Sequence, residues 1–265
     1  MVTKNDVAPV IVWANKKFLR PGMKPLSDQN PANFIKDLIR GTNASAGWPA
    51  RLKRRRWFAR QITGDGDCFE FVPYEPGQTE PFPNPFDYHP GVKLHQVQSL
   101  SMPVATKELG RNDETYLIQV AVKLAVIETH FALETSSRLD ILELNHLQIG
   151  IKLRLCEVDS LYAATYRDDA DGSTKRLVIT VEAKKKGQRI LEEQIVQQVK
   201  AAFNESPVDL VVPIAMASVT KTTAHNGGIY VAEFEAVARE NVAIFSKLCM
   251  VGQALYELVP PVKGI

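Results

Sequence analysis

The stretch "LVITVEAKKKGQ", residues 177–188, runs β-forming side chains directly into an acid and a base. Strand side chains alternate, so Leu177, Ile179 and Val181 share one face while Val178, Thr180, Glu182 and Lys184 share the other. Glu182 and Lys184 then stand about 7 Å apart at Cα and point the same way. Taken alone, such a pair is equally an exposed ion pair at a strand end, and the neighbourhood has to separate the two readings. Upstream, "CEVDSLYAATYR" (156–167) reads as a second strand and "DDADGS" (168–173) as the turn joining the two. Pairing around that turn sets opposite each other residues whose numbers sum to about 341, and Asp159 and Glu182 meet that condition. Directly opposed carboxylates repel, and a divalent cation between them reverses the sign of that interaction. Mg²⁺ takes oxygen ligands, usually one or two carboxylates with waters and substrate phosphate oxygens. The pair therefore predicts a Mg²⁺ site, with Mn²⁺ as a substitute, and chemistry at a phosphate. Lys184 is placed to orient or deprotonate the attacking water, or to offset charge on the phosphate in the transition state.

These residues need elements to hold them. Asn112 or Asp113 can cap a helix over "DETYLIQVAVKLAVIETHFALE". Its apolar stripe is Leu117, Val120, Ala121, Leu124, Ile127 and Phe131, and Glu128 falls on that stripe as a candidate further metal contact. A short helix or turn is predicted near 137–144 and a strand near 146–155. After the hairpin, a helix is predicted from about Arg189 to Phe203. It carries Gln194, positioned to hold the base or the attacking water, with Gln198 as a rival. Strands are predicted over 208–218 and 227–237, followed by a strand or helix and a tail. Helices on either side of a mixed sheet are the packing solution for this order.

An acidic helix, then "EVDSLYA", "LVITVEAKKK" and "ILEEQIVQQV", is an order that resembles the PD-(D/E)XK nuclease superfamily, over roughly residues 113–235. The resemblance implies an α/β, restriction-endonuclease-like fold: a mixed central β-sheet flanked by helices, here with an irregular N-terminal extension. It gives Asp159 the first acid position, Glu182 the second and Lys184 the lysine. Gln194 resembles the glutamine of the following helix, and Glu128 the helix carboxylate that some members use. Val158 stands where the motif has proline, and strand parity turns Glu157 to the opposite face. What the resemblance implies is a Mg²⁺-dependent endonuclease acting on double-stranded DNA, with a sequence-specific restriction enzyme as the first expectation. A repair or recombination nuclease is the rival within that class, and a non-cleaving DNA-binding protein the rival outside it. Many relatives act as homodimers, since each duplex strand needs an active site.

The first hundred residues read differently. A short helical pattern follows Asn30-Pro31, with Phe34, Ile35, Leu38 and Ile39 on one side and Gly41 as its stop. "GWPARLKRRRWFAR" (47–60) holds Arg51, Lys53, Arg54, Arg55, Arg56 and Arg60 without an acid, beside Trp48, Trp57 and Phe58. Clustered cations suit phosphate contacts, so these six are the candidate DNA-binding set. "EPGQTEPFPNPFDYHPG" (75–91), with five prolines and two glycines, is an extended, turn-rich connection and a candidate boundary. The expected division is 1–100 as an N-terminal region and 101–265 as the catalytic domain. "GDGDC" (64–68) lacks the later ligands of a calcium loop and reads as a turn. His225-Asn226-Gly227 reads as turn chemistry.

Composition bounds the rest. Hydrophobic residues make up 45% of the 265 and charged residues 23%, which excludes wholesale disorder. A net charge of +2 requires any nucleic-acid preference to come from local patches. No apolar run approaches the roughly 20 residues of a membrane span, and the apolar stretch in "MVTKNDVAPVIVWANKK" is too interrupted for a signal peptide. Three scattered cysteines without CxxC spacing fit a reduced, cytoplasmic setting. Five scattered histidines form no HExxH, and neither a GxSxG elbow nor a GxxxxGK loop is present.

Overall fold

The computed structural model describes the chain except for residues 28–34, 36, 37, 42, 63–66, 135–138, 154, 155, 186 and 224. It contains two compact units, Met1–Pro85 and Phe86–Ile265. The boundary falls inside the proline-rich segment and not at residue 100. The reason is a strand, Lys93–Gln98 (β4), which pairs in parallel with the last strand of the chain and so belongs to the second unit.

The first unit is not irregular. Val2–Thr3 (β1), Trp57–Gln61 (β2) and Asp67–Pro73 (β3) form a three-stranded sheet in the order β1-β3-β2. Helix α1 (Lys4–Phe18) starts on a capping box, in which Asp6 Oδ2 accepts hydrogen bonds from Thr3 N and Oγ1 at 2.9 and 2.7 Å. Val7 and Ile11, one turn apart, are its buried residues. Two short helices, α2 (Ala44–Gly47) and α3 (Ala50–Arg54), precede β2. Trp48 is buried between Phe71 and Phe82, and its indole N–H donates to Trp57 O at 2.8 Å. Of the short helical pattern after Asn30-Pro31, Ile35 and Leu38–Arg40 are helical, while Asn30, Pro31 and Phe34 lie outside the described residues. Most of "GDGDC" lies outside them as well.

The second unit is built on an eight-stranded mixed sheet. Its path runs β4, β11 (Met250–Val259), β9 (Gly228–Phe234), β8 (Leu210–Val219), β7 (Thr174–Lys184), β6 (Cys156–Arg167) and β5 (Asp140–Leu153), and the short β10 (Val237–Ala238) pairs with the start of β8. β5 begins at Asp140, so the helix or turn expected near 137–144 is strand from that point on; residues 137 and 138 lie outside the described set. A long hairpin with β6 supplies the reason, since Asp140 pairs with Arg167 and Ile141 with Tyr166. The open alternative at the C-terminus resolves as strand β11, which is antiparallel to β9. His225-Asn226-Gly227 is a turn, with Gly227 at φ +85° and its N–H donating to His225 Nδ1 at 3.0 Å.

Between β6 and β7, Asp168–Ser173 form a closed loop. Asp168 N donates to Ser173 O at 2.9 Å, Gly172 N donates to Asp168 O at 2.8 Å, and Gly172 takes φ +70°. The loop fixes the register: Arg167 pairs with Thr174, Tyr162 with Ile179 and Ser160 with Val181. This is the pairing expected from the sequence.

Helices cover both faces. The predicted single helix over 113–134 is two, α5 (Glu114–Lys123) and α6 (Val126–Leu133), bent by 61° where Ala125 takes φ +51°. Asp113 caps α5, its Oδ1 accepting from Tyr116 N at 2.8 Å. α4 (Val104–Glu108) precedes them. Leu117, Val120 and Ala121 of α5 and Ile127 of α6 share one core with Ile179 and Val181 of β7 and Ile214 of β8. On the other face, Val199, Ala202 and Phe203 of α7 (Glu192–Glu205) pack with Val178 and Val211. Because β7 and β8 are parallel, the chain must cross over between them, and α7 is that crossover. Val178, Thr180, Glu182 and Lys184 therefore lie on the α7 side of the sheet.

Candidate active site

Glu182 and Lys184 end a strand that is buried on both faces, and they are only 0% and 1% exposed. A plain surface pair is thereby excluded. Lys184 Nζ donates to Glu182 Oε1, and Gln198 Nε2 donates to both Glu182 Oε2 and Glu157 O. Both oxygens of this buried carboxylate are thus engaged. Their neighbours on β8 are Ala215 and Ala217.

Asp159 reaches the same place from β6. Its Oδ2 accepts a hydrogen bond from Ala183 N at 2.8 Å, between the two residues of the pair. Burial and the Glu182 charge push the Asp159 carboxyl up to about 7, against the pull of the Ala183 N–H and Lys184. Near neutrality this acid therefore lies close to its midpoint, and a cation beside it would favour its ionised form.

The helix that precedes the sheet also brings an acid beside Lys184, and that acid is Glu114. Glu114 Oε1 lies 3.8 Å from Lys184 Nζ, is buried without a hydrogen-bond partner, and its charge reaches Asp159. Glu128 sits beyond the bend at Ala125, where its charge acts on the Tyr162 hydroxyl. Its own carboxyl is pushed up by burial, and Oε2 has no hydrogen-bond partner. Glu128 thus stays on the core side of α6, beside Tyr162. The glutamines divide their roles. Gln194 Oε1 lies 3.5 Å from Lys184 Nζ, whereas Gln198 holds Glu182. The signal for Glu114 was present in the sequence as an acid in the first turn after the Asp113 cap, a position that reads first as complementing the helix dipole.

The donor set suits a hard divalent cation. Among the described residues no group of three or more His, Cys, Asp or Glu side chains is gathered to hold a metal ion. Asp159 and Glu182 nevertheless meet the one or two carboxylates that Mg²⁺ requires. Glu114 Oε1, without a hydrogen bond but 3.8 Å from Lys184 Nζ, adds a further acid beside the pair.

The basic segment of the first unit is only half available. Lys53 Nζ donates to Ser45 O and Ala46 O at 2.9 and 3.0 Å. Arg56 donates to Gln78 O at 2.7 Å and stacks over Tyr74. Arg60 pairs with Glu70. Arg51, Arg54 and Arg55 are exposed, on α3 and the turn after it. Trp57 is 39% exposed, so Trp48 and not Trp57 packs this segment. Lys185 is exposed, and Lys186 lies outside the described residues.

Comparison with protein-family models, with curated proteins and with solved structures returns no match.

Proposed function

We propose that the second unit is a Mg²⁺-dependent DNA endonuclease domain of the restriction-endonuclease-like kind, hydrolysing phosphodiester bonds of duplex DNA. One observation carries the reading. Two carboxylates from adjacent strands and a buried lysine gather at one end of β7, with the first acid held up to about 7 by burial and the second acid's charge. A stability-driven arrangement would not bury two acids together, because an uncompensated buried charge is costly. Asp159 and Glu182 would hold the cation, with Glu114 beside them. When bound, such a cation supplies Lewis acidity toward a phosphoryl oxygen and acidifies water. Lys184, released from Glu182, is the group that orients the attacking water or offsets charge on the phosphate. Gln194 receives the ammonium on its far side and Gln198 keeps Glu182 in place. Arg51, Arg54 and Arg55 supply phosphate contacts.

The test uses large mixed-sequence DNA with and without Mg²⁺. Discrete fragments identify sequence-specific restriction, a smear identifies non-specific cleavage, and intact DNA removes the nuclease reading. Glu182→Gln is the variant of choice, because it keeps a hydrogen-bonding side chain where alanine would take from the buried Lys184 its nearest carboxylate. It should abolish cleavage while the protein remains folded. Mn²⁺ should replace Mg²⁺ in the unsubstituted protein.

A further inference from the structure

The two units divide the charge unevenly. Residues 1–85 carry 13 Lys and Arg against eight Asp and Glu, whereas residues 86–265 carry 19 against 22. Arg51, Arg54 and Arg55 are one part of that excess, and a second part surrounds the end of α1. There Trp13 and Phe18 are 53% and 57% exposed, their rings meeting edge to face at 5.3 Å. Lys17 Nζ lies over both rings, 5.1 Å from the first and 5.6 Å from the second. The segment after the helix is tied back to it. The Asn15 side chain donates to Leu26 O at 2.8 Å and accepts from Leu26 N at 2.9 Å. Within that segment Met23 N donates to Arg20 O at 3.0 Å, and Gly22 at φ +85° completes the turn. The loop bearing the exposed Arg20 and Lys24 thus starts and ends on the last turn of the helix that carries Lys16 and Lys17.

Exposed aromatic rings interleaved with cations are what a nucleic-acid strand needs when its bases are unpaired. Bases stack on the rings without regard to sequence, and the phosphates between them meet the cations. A duplex offers no free base face to such a pair. A membrane-surface helix also combines Trp, Phe and Lys, but it segregates charge and apolar surface onto opposite faces. Here the Lys17 ammonium lies over the rings themselves. We propose that Trp13 and Phe18 form a stacking platform for an unpaired base, so that the nucleic acid bound by this protein includes a single-stranded stretch. The proposal rests on the nuclease reading for its choice of DNA.

The experiment titrates the full chain carrying Glu182→Gln, in EDTA, with a labelled thymidine oligonucleotide of about 20 residues, a blunt duplex of equal length, and phosphatidylcholine–phosphatidylglycerol vesicles. Trp13→Ala should weaken single-strand binding about 10-fold and duplex binding less than about 2-fold, with Trp13→Phe retaining most of the affinity. Thermal melting of each variant shows that the fold is unaltered. Equal losses on both DNAs, no loss on the single strand, or vesicle binding that depends on Trp13 overturns the platform. Single-strand binding that ignores Trp13, beside duplex binding that depends on Arg51, Arg54 and Arg55, removes the platform and leaves the nuclease reading standing. Single-strand binding through Trp13, without Mg²⁺-dependent cleavage by the unsubstituted protein, leaves the platform and removes the nuclease.

Discussion

Replacing Asp159 by Asn should flatten the pH dependence of stability in the metal-free protein. In the fold the Asp159 carboxyl is pushed from an ordinary 3.8 up to about 7, first by burial and then by the Glu182 charge. The native state therefore binds that proton more tightly than the unfolded chain. Its stabilisation is complete below about pH 4 and is lost as the pH rises through about 7. Between pH 5 and pH 8 the part lost covers about 2 pH units, or about 2–3 kcal/mol at 1.36 kcal/mol per unit. For a unit of this size that corresponds to a fall in melting temperature of about 5–10 °C. Asn accepts the same Ala183 N–H bond and carries no charge, so the variant should lose less stability than the parent by this amount over the same interval. Thermal melts in EDTA at pH 5 and pH 8, run side by side, read the difference. Millimolar Mg²⁺ at pH 8 should then raise the parent's melting temperature and leave that of Asp159→Asn nearly unchanged, because ligand binding to the native state adds to its stability. Identical pH dependence in the two proteins would falsify the placement of Asp159 in a buried, anionic site.

Other expectations follow from the same geometry. Lys184→Ala should remove cleavage while Mg²⁺ still protects the protein in melts, whereas the exposed Lys185→Ala should cleave at close to the parental rate; equal losses would contradict the strand alternation. Glu114→Gln should weaken Mg²⁺-dependent cleavage more than Glu128→Gln does, and the reverse order in a rate assay would return the helix carboxylate to Glu128. Alanine at Arg51, Arg54 and Arg55 together should flatten the log–log salt dependence of duplex binding by about 2–3, at about 0.9 per phosphate contact. Alanine at Lys53, Arg56 and Arg60 should act mainly on stability, and a matching slope change in the two triple variants would show that the hydrogen bonds of the second set do not restrain it.

The hairpin at the heart of the site was legible because two local rules agreed. Alternation gave the faces, and the DDADGS turn gave a register that residues 160–181 obey pair by pair. The helix before it was legible in its cap and its stripe but not in its break. Nothing in "VKLAVIE" announces that Ala125 adopts φ +51°, since alanine favours helix and pays for a left-handed backbone. Both halves of the bent pair pack against the sheet, and that tertiary packing has no local signature in the sequence. The N-terminal sheet was illegible for a different reason. Its strand β1 has two residues and finds its partner far along the chain, Val2 pairing with Phe69. Local pattern carries no record of such pairing. Which cations remain free was equally hidden, because Lys53, Arg56 and Arg60 are held by carbonyls and a carboxylate that only the fold brings near.

The division of charge between the units bears on the mechanism. A site built from Asp159, Glu182 and Glu114 sits in a unit where acids outnumber Lys and Arg, and it would repel a polyanion before any cation is bound. On the nuclease reading, the catalytic unit therefore cannot hold DNA well by itself. The excess of base in residues 1–85 would supply the attraction, and the metal would neutralise the site as the phosphate arrives. Two dependences should then separate experimentally. Salt should act mainly on binding, through Arg51, Arg54 and Arg55, while Mg²⁺ should act mainly on the rate once DNA is bound. Cleavage measured at saturating DNA should thus be nearly indifferent to the arginine substitutions and abolished by Glu182→Gln. Arginine variants that lose the rate at saturation, with unchanged affinity, would place those side chains in the chemistry and dissolve the division.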